Sequence, residues 1–334
     1  MKYVILSTCF LLVFSACDKP EENSSEAYFL SRGILIANEG NFQWGNASLS
    51  FYDLENEQVQ NRVFEEVNQR PLGDVLQSIT LNENTAFLVL NNSGRIEVID
   101  KNTFELLETI SGFTSPRYLH VVSQTKAYVS DLYANKIAVL DLENYEISSF
   151  IECAGWLEEL FQIDNRVYAL NKSSNSIWLV NTETDEAEEA YTVDFNVSSL
   201  SKDVFNRLWL CGEANGVGKV QCLDAFTFAP IYSYDFVEEY PTNLVVSASG
   251  SDVYFLSNGV WHINEFTDQI TSIPMIPSNN RLFYGLSVHQ DRIYIADAIN
   301  YVQQGTVWVY SKESSLIKEL KVGIIPSEFD FISE

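Results

Sequence analysis

Residues 86–110, AFLVLNNSGRIEVIDKNTFELLETI, alternate two apolar runs with two short polar turns and end in a third extended run. Residues 127–151, AYVSDLYANKIAVLDLENYEISSFI, do the same. Runs of five to seven Val, Ile, Leu, Phe and Tyr bounded by Asn, Asp, Ser and Gly are strands joined by hairpin turns. The pattern recurs at residues 166–193, 207–234, 252–273 and 292–320, and residues 33–64 carry a first copy. The last residue of each middle strand is Asp53, Asp100, Asp141, Asn181, Asp224, Asn264 or Ser311, at spacings of 47, 41, 40, 43, 40 and 47. Self-similarity at this period belongs to repeat architectures of one supersecondary unit per copy.

A fourth strand precedes each of the last six copies, as GDVLQSITL, PRYLHVV, WLEELFQI, VSSLSKDV, TNLVVSAS and YGLSVHQ. A seventh version, PSEFDFIS, stands near the C-terminus with no copy after it, and the first copy has none before it. Joining these two remnants closes a ring. The fold expected is therefore all-β, a seven-bladed β-propeller of four antiparallel strands per blade, closed by the C-terminal strand joining the N-terminal blade. An open β-solenoid accounts less well for the remnants, because it needs capping ends and usually a shorter period.

Composition fits a soluble β domain: 46% hydrophobic, 20% charged and 13% aromatic over 334 residues. The formal net charge of −26, with no run of Lys or Arg, leaves nothing to offset phosphate repulsion, so nucleic acid and anionic lipid surfaces are poor partners, and no nucleic-acid partner is expected. The first residues, MKYVILSTCFLLVFSAC, pair Lys2 with an apolar run too short to span a bilayer, which reads as a signal peptide over 1–16. Its end, Phe-Ser-Ala-Cys, resembles a bacterial lipobox and implies lipidation at Cys17; ordinary cleavage beside an incidental Cys is the alternative. Residues 17–30 then form a flexible tether, and 31–334 the propeller. Its acidic start looks like a surface-export signal, giving an outer-membrane protein held by a lipid anchor only and facing the cell exterior. Cys153, Cys211 and Cys222 are an odd set, and a simple hairpin register does not place the last two opposite each other, so they are expected as small buried hydrophobes.

With the strands of a blade lettered a to d from the axis outward, the b–c loops and d–a connections share one face. The opposite face has short turns, KNTF, LENY, TETD, AFTF and EFTD, each led by Asp or Asn, whose side chain bonds its own backbone two residues on. The first face is irregular. Its b–c loops are NEGNFQWGN, NNSG, DLYAN, NKSSN, GEANGVG, SNG and DAINYVQQG, and its connections include EEVNQRPLGD, FTSPRY, CAGW, EEYPTN and IPSNNRLFYG. Loops on a rigid scaffold commonly carry function, and turns have no need of large aromatics. The candidate ligand-binding residues are Asn38, Glu39, Asn41, Trp44, Arg70, Asn91, Asn92, Arg117, Tyr118, Tyr133, Trp156, Asn171, Tyr240, Arg281, Tyr284 and Tyr301. The long loops of the first and last blades are expected to form a raised wall on one side of the funnel. No zinc, c-type haem, nucleophile-elbow or phosphate-loop spacing is present; neither a chance carboxylate pair nor a Ca²⁺ in an Asp-rich loop is decided by the sequence.

Residues 88–110 and 127–147 look like units of YVTN-type repeat propellers, a similarity that covers residues 33–334. NEGNFQWGNASLSFYD (residues 38–53), LGDVLQSI, NNSGRIEVID and SPRYL resemble a Bacteroidetes family of surface lipoprotein propellers that includes the cobalamin-binding proteins of corrinoid uptake systems. The resemblance implies a non-catalytic protein that binds cobalamin or a related corrinoid, as transported ligand rather than cofactor, and passes it to a TonB-dependent outer-membrane transporter. The alternatives are a propeller for protein interaction or another surface ligand, and an enzyme of the lactonase or quinoprotein kind. Asn and Arg would meet the corrinoid's amide fringe, and Tyr and Trp its apolar edge.

Overall fold

A computed structural model describes residues 32–265 and 269–332. The signal peptide, Cys17 and the tether lie outside the described residues. The chain forms seven antiparallel sheets around one axis, in the order that the repeat predicts. Blade 1 runs from Pro326–Ile332 at the axis through Gly33–Asn38 and Ser48–Asp53 to Gln58–Gln60. The closing strand is therefore the C-terminal one, paired antiparallel with Gly33–Asn38. Blades 2 to 7 start at the axis with Leu76–Asn82, Pro116–Ser123, Leu157–Ile163, Asn196–Lys202, Thr242–Val246 and Phe283–His289.

The core lies between blades. Seven hydrophobic clusters sit at the seven blade-to-blade interfaces; the one joining blades 1 and 2, for example, packs Leu35 and Phe51 against Leu76 and Leu88. Middle strands pack on both faces and so are largely apolar, as in Ile34–Ala37 and Phe87–Leu90, all buried. Outermost strands meet water, and Glu186–Thr192 carries Glu186, Glu188 and Glu189 exposed.

All seven middle strands end at the residues that set the repeat spacing. Asp53, Asp100, Asp141, Asn181 and Asp224 each accept backbone N–H bonds two and three residues on, at 2.8–3.3 Å. The cysteines are free and buried, and Cys211 faces Val220 while Cys222 faces Trp209.

Three local readings need correction. The loop expected over GEANGVG is a two-residue hairpin at Asn215–Gly216, because both take positive φ (53° and 80°) and the flanking strands extend to meet them. The connection EEVNQRPLGD is not irregular but contains the helix Val63–Asn68. Val63 and Phe64 anchor that helix in the blade 1–2 core, and the Asn68 amide donates to Phe64 O and Phe104 O at 2.9 Å. Blade 6 has a short outer strand, Gln269–Ile270, and Ile276–Pro277 pairs with the other end of Gly259–Asn264.

Candidate functional site

Two devices, repeated around the ring, build the face that carries the long loops. The first is a polar residue at the end of the b strand that ties the b–c loop to the incoming d–a connection. Asp131 does this most fully. Its carboxylate accepts the N–H groups of Thr114 and Ser115 from the connection and of Tyr133 and Ala134 from the loop, at 2.8–3.0 Å. Asp297 accepts from Leu282 and Ile299, and from the Trp308 indole. Asn171 accepts from Trp156 and Ser173 and donates to Ala154 O. Asn91 donates to Ser115 Oγ and Pro116 O, and buried Asn38 donates to Ser48 O and Ser50 Oγ. Backbone groups at a rim shielded from water require such partners. The amides of Asn38, Asn91 and Asn171, selected from the sequence as ligand contacts, are thus engaged with the scaffold. Asp131→Ala leaves four N–H groups to find other partners and is expected to cost about 2–3 kcal/mol, read as a lower urea midpoint at unchanged slope.

The second device is a β-bulge in every innermost strand, at the end nearest this face. Register shifts occur at Leu76/Ser78, Pro116/Leu119, Leu157/Leu160, Val197/Ser199, Thr242/Val245, Phe283/Gly285 and opposite Ala37/Asn38. Each inserts one extra residue and re-aims a side chain. The displaced residues are Gln77, Arg117–Tyr118, Glu158–Glu159, Ser198, Asn243–Leu244, Tyr284 and Ser327, so each blade places a polar group at this level. All seven blades contribute one of them to the wall of a central cavity of about 980 Å³, open toward the mouth where Glu39, Gly40 and Phe42 line it. Packing here is close: a Cβ on Gly285 of blade 7 would come within 1.9 Å of Ser327 O of blade 1.

Bonds between neighbouring blades lock the tier. Arg117 donates through Nε to Glu158 Oε2 at 2.7 Å and through Nη1 to Gln77 Oε1. Ser78 Oγ donates to Arg117 O and Thr80 Oγ1 to Leu119 O. Tyr284 donates to Glu39 Oε2 at 3.1 Å. Burial pushes the Glu39 carboxyl up to about 7, against the pull of the Tyr284 hydroxyl and the Arg117 charge. Burial also raises Glu159, with Glu158 adding to it, and raises Glu328 strongly, with Asp330 adding to it. Burial, then Glu159 and Glu328, keep Tyr118 protonated well above its ordinary range.

Above the tier the mouth is aromatic. Trp44 is 76% exposed, Tyr133 61%, Tyr240 59%, Trp156 51% and Tyr301 42%. Tyr133 and Trp156 meet edge-on with ring centroids 6.5 Å apart, and Tyr284 and Tyr301 at 5.8 Å. The long loops of the first and last blades meet: Asn41 Nδ2 donates to Tyr301 O, and the Glu39 and Gly40 N–H groups donate to Ile325 O and Ile324 O.

The sequence candidates therefore divide. Glu39, Asn91, Arg117, Tyr118 and Tyr284 line the cavity, and Trp44, Tyr133, Trp156, Tyr240, Tyr301 and Asn41 belong to its rim. Arg70 is drawn outward to Glu97 at 2.8 Å and the Phe64 ring, Arg281 to Tyr310 and the Trp308 ring, and exposed Asn92 to Asp74. Cavity residues absent from that selection are Gln77, Glu159, Lys172, Ser198, Asn243, Ser327 and Glu328. Apart from Lys172, which lies in the b–c loop of blade 4, their signal was a polar residue early in each copy of the innermost strand.

The family model described as "Domain of unknown function (DUF5074)" matches residues 32–232. No functionally curated protein matches the chain. Among solved structures, the chain is similar to a quinonprotein alcohol dehydrogenase-like protein from Bacteroides thetaiotaomicron, at 13% identity and TM-score 0.73 over 91% of this chain and 79% of that one. It is also similar to a functionally unknown protein from Desulfotomaculum acetoxidans, at 10% identity and TM-score 0.68 over 91% and 99%. A third is Kuenenia stuttgartiensis hydrazine synthase, at 14% identity and TM-score 0.64 over 75% and 87%. At such identities the shared property is the fold.

Proposed function

The chain belongs to the DUF5074 family of domains of unknown function, and we propose that it is a non-catalytic binding propeller that captures a corrinoid at its funnel mouth. The observation that carries this reading is the exposure of Trp44, Tyr133, Trp156, Tyr240 and Tyr301 on the one irregular face, above a polar tier fed by every blade. Large aromatics left in water around one opening favour a broad, partly apolar ligand. The tier amides of Gln77 and Asn243 suit an amide fringe. The sequence resemblance to corrinoid-uptake propellers supports the same ligand class. In this reading Cys17 holds the protein by lipid on the cell exterior, and the wall built by Asn41, Phe42, Trp44 and Tyr301 faces a TonB-dependent transporter that receives the ligand. Arg117, already engaged by Glu158 and Gln77, holds the tier rather than acting on a substrate.

Titration of the purified protein with cyanocobalamin, followed by absorbance and calorimetry, is expected to saturate at micromolar ligand or below. Trp44→Ala removes about 1.5–3 kcal/mol of apolar burial with the ligand, a loss of roughly tenfold or more in affinity, while the melting temperature stays put because Trp44 packs on little else. Silence at micromolar cyanocobalamin sinks the corrinoid reading. An unchanged affinity in Trp44→Ala moves the site off the mouth.

A further inference from the structure

The channel below the mouth has a chemistry of its own. Glu159 comes from blade 4 and Glu328 from blade 1, and both line the central cavity. One carboxylate oxygen of each, Oε2, is buried without a hydrogen-bond partner, as is Ser327 Oγ beside them. Buried polar atoms are almost always satisfied, and a buried carboxylate left partly bare is costly. The nearby positive charges do not cancel them. Arg117 is taken up by Glu158 at 2.7 Å, and Lys172 also lies nearest Glu158, at 3.9 Å. Glu39 stands at the top of the same cavity, and Asp330, one turn of the pleat below Glu328, has an oxygen occupied by the Leu81 N–H. The remaining wall offers the rings of Tyr118, Tyr284 and Phe283. Acceptors without donors, a surplus of negative charge and aromatic faces together describe a receptor for an organic ammonium group.

We propose that this channel is a second site, independent of the mouth, that binds a small organic cation: a protonated amine on an apolar or aromatic body, its N–H groups donated to Glu159 and Glu328. In the empty protein protons hold part of that charge, since burial raises both carboxyls and Glu39 with them. An incoming ammonium replaces those protons. Binding therefore releases protons and strengthens as pH rises. Lys172 and Arg117 line the same cavity from blades 4 and 3 and oppose the cation, though each is also paired with Glu158.

Calorimetry with benzylamine, benzyl alcohol, benzoate and calcium chloride, each titrated into the purified protein between pH 6 and 8, tests this directly. Benzylamine is expected to bind at least about tenfold more tightly than the alcohol or the benzoate, more tightly at pH 8 than at pH 6, and with proton release that depends on the buffer. Glu159→Gln and Glu328→Gln should each weaken benzylamine by about tenfold without abolishing saturation by cyanocobalamin. Equal binding of alcohol and amine, a pH-independent affinity, or a response to calcium with none to amine overturns the proposal. Should either variant fail to fold, the comparison of amine with alcohol on the native protein still decides.

Discussion

A chain ended after Ile324 is expected to lose cooperative folding. The deleted strand, Pro326–Ile332, is the innermost strand of blade 1 and pairs with Gly33–Asn38 along its whole length. It buries Phe329 and Ile332, which join the blade 7–1 and blade 1–2 clusters respectively, and Ile325 goes with it. At about 1.5–3 kcal/mol per buried side chain, these three alone contribute roughly 5–9 kcal/mol, comparable with the whole net stability of an ordinary domain. The strand also holds both neighbours: Asp330 accepts the Leu81 N–H of blade 2 at 2.9 Å, and Phe331 stacks on His289 of blade 7 at 4.2 Å. Its loss opens the ring and leaves Gly33–Asn38 with an unpaired apolar edge, a template for aggregation. Near-ultraviolet circular dichroism and a urea melt check this. A truncated chain with the parent's midpoint and slope would show that the C-terminal strand does not close the ring.

The ring was legible because its evidence is redundant. Seven copies each carry the same strand–turn–strand cue, and Asp53, Asp100, Asp141, Asn181 and Asp224 mark the register by a local bond that needs no tertiary context. The helix Val63–Asn68 occurs once, has six residues, and forms because Val63 and Phe64 find an interblade pocket, which no local pattern announces. The candidate site was legible in proportion to how little it depends on packing. Trp44, Tyr133 and Tyr240 stand in water, so their place in a loop sufficed. The polar tier was hidden by its own geometry. A bulge breaks the two-residue alternation, so PSEFDFIS reads as a regular strand although its register slips at Ser327 and turns Glu328 into the channel wall. Asn38, Asn91 and Asn171 are tied to the scaffold for a related reason. An amide at a loop mouth suits a ligand, but the backbone groups of the same mouth have the prior claim. Arg70 and Arg281 likewise sit in mouth connections, yet Glu97 and Trp308 on the blade flank draw them outward.

The tier has one further consequence, for stability against pH. Between pH 8 and pH 6.5 the folded protein is expected to become more stable as acid is added, the reverse of the usual response of a protein held by ionised carboxylates. Glu39 carries its pKa from an ordinary value near 4.5 up to about 7 on folding, because burial disfavours its charge. The folded state then holds the proton more tightly than the unfolded chain does. Such a group stabilises the fold at low pH, and that contribution is lost as pH climbs from the unfolded value through the folded one. For Glu39 the full swing is about 3 kcal/mol. Glu159, Glu328 and Asp330, all raised by burial, act in the same direction. His120 and His289 act against it below about pH 6.5, since burial lowers both and each must stay neutral to remain folded. Glu97, Asp53, Asp141 and Asp224, lowered by their hydrogen-bond partners, withdraw support only in stronger acid. Melting temperatures at pH 8, 7.2 and 6.5 should therefore rise in that order, and Glu39→Gln, which keeps the shape and removes the titration, should be more stable than the parent at pH 8 and flatten the slope. A melting temperature that falls from pH 8 to pH 6.5, or a Glu39→Gln slope equal to the parent's, would mean that these carboxyls are ionised in the folded channel and that its empty state is far better solvated than its burial implies.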